Sequence, residues 1–223
     1  MVLVRKTLLI PLGIMLGAAA LGLSYPLLTG LPGQEQNIIP RFASQWHVGN
    51  GAEDSPVLQY LVKTQDMEFV AELKFLEQSG DEQDIQLIID DKKTGQHIEQ
   101  TLKIGKAYVF INVPQNIKPY VTALDKTVFS VRDTVVESKY LVVGAEWGTT
   151  YIGKLTPKLK LTEYKDTSFE FGTLKTYTVS YKVNEVTNYF LVADNVPLPV
   201  RAEFYTIDGD FDYSYDLISL GGS

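Results

Sequence analysis

The sequence predicts a mainly β fold: an antiparallel curved sheet (a half-barrel) or a two-layer sandwich with one short helix, behind an N-terminal transmembrane or signal helix. Three observations predict it. From about Val57 to the end, apolar residues recur with period two, the mark of strands with one buried face. Asp208-Gly209 sits between two such runs as a hairpin turn signal. The chain from Thr7 to Gln34 carries no charge, and Leu8–Leu28 is mostly Leu, Ile, Ala and Gly, long enough to span a bilayer as a helix.

The N-terminal segment, residues 1–30, has two readings. Arg5 and Lys6 ahead of the apolar run favour a cytoplasmic N-terminus and an exported remainder. Ala18-Ala19-Ala20 offers a signal-peptidase site after an h-region at Leu8–Gly17. Apolar character persists beyond that site through Leu21, Leu23, Tyr25, Leu27 and Leu28, as an uncleaved anchor needs and a cut peptide does not. The expected location is therefore the cell membrane, single-pass with the C-terminal domain outside, or secreted after cleavage near Ala20. Residues 31–56 read as linker and loop, opened by Leu31-Pro32-Gly33 and holding Trp46, His47 and Gly49.

The exported β domain is expected over residues 57–220. In Asp66–Glu77, Met67, Phe69, Ala71, Leu73 and Phe75 share one face. Ser79-Gly80-Asp81 turns the chain into a strand with Ile85, Leu87 and Ile89, and Asp91–Gly95 turns it again toward Ile98, Leu102 and Ile104. Gly105-Lys106 suits a two-residue turn placing Ile104 opposite Ala107. Pro119 suits the first turn of a short helix ending near Leu124. Val128, Phe129 and Val131 read as a strand or extended connection. Tyr140–Val143, Lys158–Tyr164, Lys175–Val183 and Val186–Val192 are rich in Tyr, Phe, Val and Thr, as strands favour. With Asp208-Gly209 as a two-residue loop, Arg201 faces Asp216 and Phe204 faces Tyr213. One face then carries Val200, Ala202, Phe204, Phe211, Tyr213, Tyr215 and Leu217, and the other carries Arg201, Glu203, Asp212, Ser214 and Asp216.

Composition excludes several functions. The 223 residues include no Cys and 2 His, so disulfides, thiol chemistry and multi-histidine metal centres fall away. A net charge of −7 opposes nucleic-acid binding, and without Arg5 and Lys6 the remainder carries about −9. Asp208, Asp210, Asp212 and Asp216 lack the spacing of a calcium loop. His47 and His97 have no adjacent catalytic motif. No catalytic, cofactor or metal residue is expected, and no cofactor. Trp147 and Tyr151, in the small-residue stretch Gly144–Tyr151, are candidates to line an apolar pocket together with Tyr177, although Trp147 also suits a plug closing a sheet layer.

The Leu198-Pro199-Val200-Arg201 step, between the strand pair Thr176–Val183 and Val186–Val192 and the last hairpin, gives residues 158–219 a likeness. This part resembles the C-terminal portion of lipoprotein-carrier (LolA/LolB-like) half-barrels and related exported domains of unknown function. The resemblance implies a curved sheet wrapped around a short helix, with an apolar concave face that binds acyl chains. The expected function is a membrane-anchored, extracytoplasmic, non-catalytic β domain, structural or partner-binding at the cell envelope. The alternative is a carrier or binding module for a lipid or other apolar ligand. Its expected partners are the membrane, through the N-terminal helix, and an apolar ligand or envelope protein.

Overall fold

The computed structural model describes residues 43–54, 56–135 and 137–221; the N-terminal anchor or signal helix expected over 1–30 lies outside them. Among the described residues no helix is long and apolar enough to cross a membrane. The strands are β1 (Gln45–Trp46), β2 (Val57–Thr64), β3 (Glu68–Ser79), β4 (Glu82–Asp91), β5 (His97–Ile104), β6 (Phe110–Ile111), β7 (Lys139–Tyr140), β8 (Glu146–Thr149), β9 (Lys158–Phe169), β10 (Gly172–Val183), β11 (Val186–Ala193), β12 (Arg201–Tyr205) and β13 (Phe211–Gly221). Among the described residues one α-helix, α1, spans Lys118–Lys126.

Eleven strands form one antiparallel sheet in the order β6-β5-β4-β3-β2-β13-β12-β11-β10-β9-β8, and β1 pairs with β7 in a small ribbon. Two meanders therefore meet at the centre, where β13 pairs with β2, Tyr215 opposite Val62. Period two sets the faces. Leu58, Tyr60 and Val62 of β2, Phe69, Ala71, Leu73 and Phe75 of β3, and Ile85, Leu87 and Ile89 of β4 are all fully buried on the inner face.

The sheet curves. Held flat, eleven strands would set the two edges about 48 Å apart. Yet Tyr108, beside edge strand β6, packs so closely on Gly49 that a Cβ there would fall 1.9 Å from its hydroxyl. Trp46, three residues earlier and so at most about 11 Å along the chain, stacks on Trp147 of edge strand β8 at 6.0 Å. The 43–54 stretch thus ties the two edges across the inner face. Trp46 is fixed there by its indole N–H donating to the Val196 carbonyl at 2.9 Å.

Helix α1 fills part of the inner face. Pro119 lies in its first turn, where no intrahelical N–H partner is lost. Tyr120, Val121 and Leu124 face inward, and Leu124 is fully buried. Tyr120 meets Phe69 edge-on at 5.3 Å and donates its hydroxyl to Asp91 Oδ2 at 2.7 Å. The Thr127 hydroxyl closes the helix end on the Ala123 carbonyl at 2.8 Å.

Four expectations are corrected. The turn after Ile104 is longer than Gly105-Lys106: Lys106–Tyr108 forms a 3-10 turn, and Ile104 pairs with Phe110 rather than Ala107. Burying Tyr108 against Phe75 at 6.4 Å requires the longer loop. Val128, Phe129 and Val131 are not extended; a 3-10 turn at Ser130–Asp133 buries them under the sheet. Only Tyr140 of Tyr140–Val143 is in a strand, because its partner strand β1 is two residues long.

The fourth correction concerns the last hairpin. Its pairs Arg201↔Asp216 and Phe204↔Tyr213 are as expected, but Tyr205 then faces Phe211. Gly209 N–H donates to Thr206 O, Thr206 N–H donates to Asp210 O, and Gly209 has φ +90. This is a three-residue loop with glycine in the left-handed position. Asp212 becomes an extra, bulged residue that restores the register. Asn188 Oδ1 takes the Tyr205 N–H at 2.6 Å where β12 parts from β11. Phe211 consequently lies on the outer face, edge-on to Tyr205 at 6.3 Å, instead of joining Phe204 inside.

Candidate functional site

A cavity of about 380 Å³ opens on the inner face of β10–β13. Strand alternation sets its floor: Tyr181 from β10, Phe190 from β11, Phe204 from β12, and Tyr213 and Tyr215 from β13. The 3-10 turn supplies a roof through Ser130, Val131 and Asp133, and Thr150–Ile152 closes one side. Floor and roof are bonded. Ser130 donates to the Thr127 carbonyl at 2.7 Å, so the Tyr213 hydroxyl, 3.2 Å away, donates to Ser130 Oγ.

The floor is a row of rings. Tyr181 lies 6.1 Å from Phe204, Phe204 stacks on Tyr213 at 4.7 Å, and Tyr215 follows at 6.4 Å. Tyr60 closes the row, edge-on to Tyr215 at 5.9 Å. Tyr60 satisfies its hydroxyl on the Pro199 carbonyl at 3.1 Å. Tyr181 and Tyr215 do not: they are 9% and 3% exposed, they line the cavity, and neither hydroxyl has a hydrogen-bond partner among the described residues. Buried tyrosines ordinarily find one. Burial pushes the Tyr181 hydroxyl up to about 12, with the Asp212 charge adding to it. Burial also raises Tyr215 well above its ordinary value.

Two carboxylates, Asp133 and Asp212, line the cavity, and among the described residues no Lys, Arg or His does. Arg132 lies 3.6 Å from Asp133 and 2.7 Å from Asp125. Asp212 has no ion pair among the described residues. It is exposed at the cavity rim, where the bulge places it; strict alternation would put it on the outer face with Asp216.

The three residues expected to share a pocket are not together. Tyr151 lines the cavity and is 79% exposed. Trp147 lies in the core at 1% exposure, stacked on Trp46, 6.2 Å from Phe190, its indole N–H on the Tyr140 carbonyl at 3.1 Å. It plugs the β8 edge, since a bulge in the β8–β9 pairing turns it inward. Tyr177 stacks on Tyr164 across the β9–β10 pair at 4.5 Å, away from the cavity. His47 and His97 are exposed; His97 pairs with Asp90 at 2.6 Å, a hydrogen bond that raises its pKa. Among the described residues no three His, Cys, Asp or Glu side chains are grouped as metal ligands require.

No family model matches the chain, and no curated protein matches it. Two solved structures show a distant likeness. One is described as an exported protein with a YmcC-like fold from Bacteroides fragilis, at 11% identity and a TM-score of 0.39 over 80% of this chain and 99% of that one. The other is described as a lipoprotein from Parabacteroides distasonis, at 14% identity and a TM-score of 0.38 over 79% and 100%. Both scores lie below the level at which a shared fold or function follows.

Proposed function

We propose that the chain is an exported, non-catalytic domain whose inner-face cavity binds a small ligand with an apolar body. The observation that carries this reading is a ring-floored cavity of about 380 Å³ lined by two buried tyrosines whose hydroxyls have no hydrogen-bond partner among the described residues. A cavity of that size falls in the range of small-molecule sites. Export rests on Arg5, Lys6 and the charge-free run behind them, which also supports anchoring at the envelope. The non-catalytic reading rests on the lining: the Ser130 hydroxyl donates to the Thr127 carbonyl, and among the described residues no His, Lys or Cys lines the cavity to activate it. A curved sheet over a short helix is also what the lipoprotein-carrier resemblance implies.

Titration of the purified soluble domain with the neutral fluorescent probe N-phenyl-1-naphthylamine tests it. Thr150 lines the cavity without a side-chain hydrogen bond, so Thr150→Trp fills it from the side wall. Saturable one-to-one binding to the wild type, abolished in Thr150→Trp with unchanged melting, is expected. Equal binding by both proteins would sink the reading.

An envelope protein partner is the second reading, and the edge of β9 favours it. Strand β8 pairs with β9 only along Lys158–Lys160. Residues 162–169 make no backbone hydrogen bond on that side among the described residues, leaving an edge able to accept an added strand.

A further inference from the structure

Charge defines which apolar ligand the cavity suits. A fatty acid or another anion would enter a site lined by Asp133 and Asp212, with no basic side chain among the described residues to meet it. The two acids, both exposed, differ in their neighbours. Asp133 lies beside the Arg132 guanidinium. Asp212 has no cation within ion-pair distance among the described residues. It also walls a neighbouring hollow under α1, lined by Lys126 and Asp66, and forms an ion pair with neither the lysine nor any other group there.

The bulge is what puts Asp212 in this position. Without it, a hairpin of strict alternation would place Asp212 on the outer face beside Asp216, and Phe211 would take the inner face. Bulges commonly re-aim a side chain next to a binding site. At this point the sheet turns an exposed carboxylate, and not a phenyl ring, to the rim of the cavity. The same cavity holds the rings of Tyr181, Phe204 and Tyr213, and the hydroxyls of Tyr181 and Tyr215, which have no partner among the described residues.

Resting on the cavity reading above, we propose that the ligand is an organic cation: an ammonium group on an apolar or aromatic body, held with Asp212 as its counter-ion. The apolar body lies along the ring row. The ammonium N–H groups, or the methyls of a quaternary centre, face Asp212 and the tyrosine rings, where charge attraction and the ring quadrupole act together. The tyrosine hydroxyls accept from the remaining N–H donors. Ser130, Thr134 and Thr206 complete a polar rim without adding positive charge.

Three probes of one shape test this: benzylammonium, benzyl alcohol and phenylacetate, titrated by calorimetry into the wild type, Asp212→Asn and Asp133→Asn. The wild type should prefer benzylammonium to benzyl alcohol by about tenfold, the combined effect of one partly exposed ion pair and one cation–ring contact. Phenylacetate should bind most weakly. Asp212→Asn should erase the preference while still taking the alcohol, Asp133→Asn should keep most of it, and added salt should weaken only the ammonium. If the three probes bind alike, or if Asp212→Asn keeps the preference, the cation assignment is overturned while the cavity reading stands. If none binds, the assignment is overturned as well, and the naphthylamine titration decides separately whether the cavity reading falls with it.

Discussion

Replacing Trp46 by Phe isolates the contact that draws the two sheet edges together. Trp46 is fully buried, stacked on Trp147 and bonded through its indole N–H to the carbonyl of Val196, itself 4% exposed. Phe keeps a ring but loses the N–H, leaving a buried carbonyl without its donor, at about 1–3 kcal/mol. The smaller ring also leaves a void of roughly 40 Å³, which at ~24 cal/mol per Å³ adds about 1 kcal/mol. The expected loss is about 3 kcal/mol. Trp147→Phe is the internal control. Its indole N–H meets the carbonyl of Tyr140, a residue 38% exposed, where water can replace the donor. That variant should lose about 2 kcal/mol, mostly from the void and the weakened stack. Urea unfolding followed by far-ultraviolet circular dichroism gives both values without relying on tryptophan emission. A loss below about 1 kcal/mol for Trp46→Phe, or a smaller loss than for Trp147→Phe, would refute the view that the 43–54 stretch holds the curvature.

Three further outcomes follow from single contacts. Gly49→Ala should cost several kcal/mol in the same assay, about as much as a core truncation, because φ there is +95 and the new Cβ would meet the Tyr108 ring. Ala107→Gly should stabilise slightly, by about 0.5–1 kcal/mol, since Ala107 sits at φ +60 where glycine rests without strain. The Tyr120 hydroxyl, helped by the Thr94 and Lys93 N–H groups, holds the Asp91 carboxyl down to about 2. A carboxyl lowered on folding stabilises fully above its unfolded value near 3.9 and loses that contribution as pH falls through the folded value. Thermal melting should therefore show wild type ahead of Tyr120→Phe at pH 5 to 7, with the gap closing between about pH 4 and pH 2; a gap that widens in acid would contradict the hydrogen bond.

Much of the sheet was legible because period two is a strong signal where one face is buried. Phe69 to Phe75 and Ile85 to Ile89 alternate cleanly, and the helix start at Pro119 needs only a residue lacking an N–H. The hairpin at Arg201–Asp216 was legible too, and for an instructive reason. Its loop is one residue longer than Asp208-Gly209 alone suggests, and the bulge at Asp212 restores the offset, so Arg201 and Phe204 keep the expected partners. The same cancellation hid the site. Asp-Gly suits both a two-residue turn and the end of a three-residue loop, and only the longer loop sends Phe211 outward and Asp212 to the cavity rim. The roof was illegible for another reason. Val128, Phe129 and Val131 have strand composition, but they are buried by a 3-10 turn set by tertiary packing, with Phe129 edge-on to Phe110 at 4.9 Å. Trp147 shows the limit of reading a lone aromatic: residue type supports a pocket wall and a plug equally, and the partner that decides, Trp46, lies 101 residues away in sequence.

Native mass spectrometry of the domain purified from its source cell bears most directly on the central claim, that the inner-face cavity is a ligand site. An adduct of one small molecule is expected on the wild type, and none on Thr150→Trp prepared in parallel. Bare protein in every wild-type preparation, or an adduct that persists when Thr150→Trp fills the cavity, would contradict it.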